Sequence, residues 1–63
     1  MKRQYSLSYR RYGDSPTCTN IVIADSAGQV EGYASAFEWF HVSEVGDSYV
    51  EEHRRRGMPV VEL

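Results

Sequence analysis

A chain of 63 residues makes one small domain, spanning 1–63, and excludes a second, because a shorter piece buries too little apolar surface to offset its own ordering entropy. With 41% hydrophobic, 13% aromatic and 25% charged residues it falls outside the disordered class, and its one cysteine, Cys18, excludes an intrachain disulfide and a four-cysteine metal site. The formal net charge of -2 is too small to mark a polyanion or a polycation, so what charge says here lies in its placement.

Residues 4–12 alternate polar and apolar, which puts Tyr5, Leu7 and Tyr9 on one face of a strand. GDSPT, Gly13 to Thr17, is dense in turn formers, and Asn20 to Ala24 is β-branched again, so a first hairpin is expected. Ser26 followed by Gln29 matches a capping box, and Val30, Tyr33, Ala34, Phe37 and Phe40 recur at helical spacing, which predicts one main helix over about 27–40. Gly28 and Gly32 weaken that helix by about 1 kcal/mol each relative to alanine.

The last third supports two readings. In one, Ser48 and Glu51 cap a short second helix, Arg54, Arg55 and Arg56 complement its negative end, and Gly57 is its left-handed stop. In the other, His41 to Val45, Tyr49 to Arg54 and Met58 to Leu63 are strands of a meander turning at Gly46-Asp47. Either way MPVVEL ends the chain as a strand. The expected fold is α+β: a two-layer domain with an antiparallel sheet of 3–5 strands on one main helix, in the order ββα followed by βββ or αβ.

The basic residues are Lys2, Arg3, Arg10, Arg11, Arg54, Arg55 and Arg56, and none lies between Tyr12 and His53. That interval holds Asp14, Asp25, Glu31, Glu38, Glu44, Asp47, Glu51 and Glu52. Such a block either attracts a basic partner or is neutralised by terminal arginines folding back on it. Trp39, beside Glu38, has the character of an interaction anchor. Its position in the last turn of the expected helix also suits burial under the departing chain, which is the favoured reading.

Nothing in the chain carries an enzyme motif. His41, His53 and Cys18 lack zinc-ligand spacing, Gly13 has no second glycine at phosphate-cradling distance, and Cys18 is an isolated loop thiol. No catalysis, metal or cofactor is expected. The N-terminal MKRQYSLSY has no apolar run behind it and no stretch approaches the roughly 18 apolar residues of a membrane span, so neither leader nor membrane contact is expected.

A small acidic-centred αβ chain without a motif resembles the anti-CRISPR and anti-restriction inhibitors carried by phages and mobile elements. The resemblance is one of size and charge pattern over the whole chain. It implies a non-enzymatic inhibitor in the cytoplasm of a bacterial host, with Glu31, Glu38, Glu44, Asp47, Glu51 and Glu52 standing in for DNA phosphates and Trp39 beside them. The implied partner is a protein with a basic surface, a CRISPR effector or nuclease subunit, whose DNA-binding groove is covered. The alternative from the residues themselves is a nucleic-acid-binding regulator using Arg10, Arg11, Arg54, Arg55 and Arg56, with Tyr5 and Tyr9 of YSLSYRRY as stacking platforms. A third reading is an accessory or assembly module that dimerises through an open sheet edge; the chain is expected to be a monomer or a weak dimer.

Overall fold

The computed structural model describes residues 1–63 as β1 Arg3–Arg10, β2 Cys18–Ala24, α1 Ala27–Ala34, β3 Trp39–Glu44, α2 Asp47–Arg55 and β4 Val60–Glu62. It is a small α+β fold whose sheet has the order β3-β1-β2-β4. β1 pairs antiparallel with β2, through Tyr5 opposite Val22, and with β3, through Leu7 opposite Val42. β4 pairs parallel with β2, Val22 opposite Val61.

The alternation in β1 produces the core. Tyr5, Leu7 and Tyr9 are buried with Val22 and Ala24 against Val30 and Ala34 of α1, and Phe37, Phe40, Val42, Val61 and Leu63 pack at the margin. The other face carries Gln4, Ser6 and Ser8, and α2 lies over it. The Tyr49 hydroxyl is 3.1 Å from Ser6 Oγ, and Val50 and Ile21 are buried on that side. Each helix is a crossover between strands that run in the same direction. α1 carries the chain from β2 leftward past β1 to β3, and α2 carries it back from β3 to β4. Two crossovers travelling in opposite directions on opposite faces have the same hand, as the near-universal handedness of such connections demands.

Several expectations are corrected. The sheet is mixed rather than antiparallel, because the chain reaches β4 through a helix and not through a turn. The main helix stops at Ala34 instead of about 40. Ser26 does cap it, accepting from Gln29 N–H, while the Gln29 side chain accepts from the Asp25 amide, one residue before the cap. At its end Ser35 Oγ bonds the Gly32 carbonyl, and a turn throws Phe37 back onto Tyr9, their rings stacked 4.4 Å apart. Trp39 to Glu44 then pair with β1 as a strand, which suits their aromatic and β-branched side chains.

The two readings of the last third are each half realised: residues 39–44 are a strand and 47–55 a helix. The capping box of Ser48 and Glu51 does not form, since the N-cap is Gly46 and makes no side-chain bond. Glu51 instead pairs with Arg55 at 2.7 Å and Glu52 with Arg56 at 2.9 Å. Gly57, at φ 85, is the stop, where a side chain would be strained. No helix is long and apolar enough to cross a membrane.

Candidate functional site

The topology sorts side chains between the two ends of the sheet. Where β1 finishes, β2, β3 and β4 begin, and both helices return toward that same end. Arg10 and Arg11 are therefore carried there by β1, and Arg54, Arg55 and Arg56 by α2. Chain direction thus carries both groups toward one end of the sheet, while the side chains of Arg54 and Arg55 reach back along α2, where they line a depression with Gln4 and Asp47. The side chains of Arg55 and Arg56 are 76% and 69% exposed.

Exposed aromatics lie toward the same end, on both faces of the sheet. Tyr12, 70% exposed, follows Arg11 in the hairpin; Trp39, 43% exposed, opens β3 opposite Arg10; and Tyr33, 41% exposed, sits on the last turn of α1, edge-on to Phe37. The Arg11 guanidinium lies beside the stacked Tyr9 and Phe37 rings, 6.0 Å and 5.9 Å from their centroids. Arg10 is half-buried, and its Nε has no partner.

The acids expected to form one surface do not meet. Glu51 and Glu52 lie on α2 and are paired with its own arginines, and Glu44 at the far end of β3 is 3.7 Å from Arg3. Asp25 likewise faces Lys2 at 3.8 Å. Glu31 is on α1, on the opposite side of the sheet from α2, Asp47 starts α2 at the far end, and Glu38 lies over Gly13 of the hairpin at the arginine end. Glu31, Glu38 and Asp47 take part in no ion pair, and they occupy three separate places. Folding back of basic residues onto the central acids thus occurs for four of them, two through the N-terminal Lys2 and Arg3.

Trp39 is not in a helix and is not covered by the departing chain. It stands on β3, on the face that also carries His41 and Ser43. Tyr5 and Tyr9, taken from the sequence as stacking platforms, are buried in the core and closed to a ligand. The aromatics that replace them, Tyr12 and Trp39, flank the same arginines. The signal for Tyr12 was its place next to Arg11 in a turn-rich segment, whereas Tyr33, which its helical spacing assigns to the core-facing stripe, is exposed.

Chemical groups with other potential are few. His41 Nε2 and Ser43 Oγ are 3.1 Å apart, but both are exposed on an edge strand and no third group orients the imidazole. Cys18 is exposed and its thiol lies 3.8 Å from the Pro16 carbonyl. No group of His, Cys, Asp and Glu is placed to hold a metal ion. Of two open depressions, one runs along α2 between Gln4, Asp47, Val50, Glu51 and Arg54, and the other lies at the far end around Lys2, Arg3 and Gly46. Both mix the two signs of charge. No protein-family model, curated protein or solved structure matches the chain.

Proposed function

We propose that this is a non-enzymatic nucleic-acid-binding protein that takes single-stranded DNA or RNA at its arginine end, in the cytoplasm of a bacterial host. The observation that carries the reading is that chain direction brings Arg10 and Arg11 of β1, and the end of α2 that bears Arg54, Arg55 and Arg56, toward the end of the sheet that holds exposed Tyr12 and Trp39. Single strands are bound by cationic tracks that follow the backbone and by rings on which bases stack, and this end has both. The pairs Glu51–Arg55 and Glu52–Arg56 are exposed and worth only about 0–1 kcal/mol each. A phosphate can displace such a carboxylate at little cost.

Titration of a labelled single-stranded oligonucleotide at low salt tests this. Affinity is expected to fall as salt rises, by a slope of about 0.7 in log–log terms for each phosphate neutralised. Replacing Arg11, Arg54, Arg55 and Arg56 by glutamine is expected to flatten that slope and abolish most of the binding. Absence of binding by the native protein at low salt overturns the proposal.

A second reading has its own observation. Glu38, which takes part in no ion pair, adjoins exposed Trp39, which supports an inhibitor that docks on a basic nucleic-acid-handling protein such as a CRISPR effector or nuclease. On this reading the double change Glu38→Lys, Trp39→Ala weakens capture of such a partner by at least about tenfold. Unchanged capture rules the reading out.

A further inference from the structure

The two edges of the sheet differ in a way that singles one out. β4, at one edge, has three residues and follows Pro59, so it offers little to pair with. β3, at the other, has six residues, Trp-Phe-His-Val-Ser-Glu, with no proline, glycine, lysine or bulge to blunt it.

The hydrogen-bond pattern shows which groups β3 leaves open. The Val45 amide donates to the Gln4 carbonyl at 3.0 Å, which makes Gln4 and Val45 a hydrogen-bonded pair. Antiparallel pairs alternate, so Ser6–Ser43, Ser8–His41 and Arg10–Trp39 are also of that kind, and Tyr5–Glu44, Leu7–Val42 and Tyr9–Phe40 are not. The amides and carbonyls of Phe40, Val42 and Glu44 therefore point away from β1. None has a hydrogen-bond partner within the chain.

We infer that this edge joins the β3 edge of a second copy of the chain, antiparallel, about a two-fold axis perpendicular to the sheet, giving a dimer with one continuous sheet of eight strands. Two features favour a second copy over an unrelated strand. The first is self-complementarity: an axis through His41 sets Phe40 opposite Val42 of the partner, and an axis through Val42 sets His41 opposite Ser43 of the partner. Both registers keep the half-buried Phe40 and Val42 on the core side and Trp39, His41 and Ser43 on the other. The second is charge. Five arginines lie toward one end of the domain, offset in part by Asp14, Glu38, Glu51 and Glu52, while Asp25, Glu44, Asp47 and Glu62 lie at the other against Lys2 and Arg3, so the first end is the less acidic. Antiparallel pairing lays the arginine end of each copy beside the acidic end of its partner, so the two ends attract across the junction.

Sedimentation of the native chain over a range of concentrations is the test. The mass is expected to rise from that of one chain to that of two, with association weakening as salt is raised. The double variant His41→Lys, Ser43→Lys changes only exposed side chains and places lysine opposite lysine in either register, so it is expected to fold and to dimerise about tenfold more weakly. Val42→Pro deletes an outward amide without removing a bond to β1 and is expected to stay monomeric. A native chain that keeps the mass of one copy up to about 1 mM overturns the inference, as does a lysine double variant that associates like the native protein.

Discussion

Replacing Leu7 by alanine is expected to leave the protein largely unfolded at room temperature. Leu7 has no exposed surface, lies midway along the central strand with Asn20 and Val42 as its cross-strand neighbours, and belongs to the cluster closed by Val30 and Ala34 of α1. A buried leucine cut to alanine loses about 2.7–5 kcal/mol, the larger values where neighbours are too well held to collapse into the gap. Here they are held on both sides by strands. A domain of this size commands only about 3–5 kcal/mol in all, so the loss consumes most or all of its stability. Circular dichroism in a urea titration checks it, with Val60→Ala, at an exposed site on the short edge strand, as the comparison. A cooperative transition at the native midpoint for Leu7→Ala would mean that the core is not where the packing places it.

That core was legible in the chain because Tyr5, Leu7 and Tyr9 alternate, and the period of a strand needs no partner to be recognised. The overrun of α1 has a definite origin. Phe37 and Phe40 do reach the core with Val30 and Ala34, so the helical spacing identified four of its five residues correctly, Tyr33 being exposed instead. It identified the wrong path to them, because Phe37 gets there by a turn and Phe40 by a strand. What decides between the paths is the free side of β1, a partner 28 or more residues upstream that no local window contains. For α2 the decisive feature was local, since Glu51–Arg55 and Glu52–Arg56 are spaced to pair along one helix. Those pairs also explain why the acidic block of the sequence is not an acidic surface. Segregation along a chain becomes segregation in space only where the fold keeps neighbours together, and here the arginines at each end of the block return to it. The arginine end, by contrast, exists because β1 and α2 run in the same direction, which follows from the crossovers rather than from any motif.

The double change Tyr12→Ala, Trp39→Ala is expected to weaken single-strand binding by at least about thirtyfold while leaving its salt dependence intact. Each stacked base is worth about 1–3 kcal/mol, and two rings on the same end act on successive bases, so the losses add as long as both are used. Stability should change little, for Tyr12 projects from the hairpin and Trp39 stands outside the core cluster. The arginine and aromatic variants thus separate two physical contributions. Removing guanidinium groups lowers the number of counterions released and so alters the salt slope, whereas removing rings shifts affinity by the same factor at every salt concentration. Restoring tyrosine at position 39 returns most of the affinity if stacking is the cause, since a phenol offers a comparable face. If the aromatic variant bound as tightly as the native protein, the arginines alone would hold the strand, and Trp39 would be left free for the protein partner that Glu38 beside it suggests.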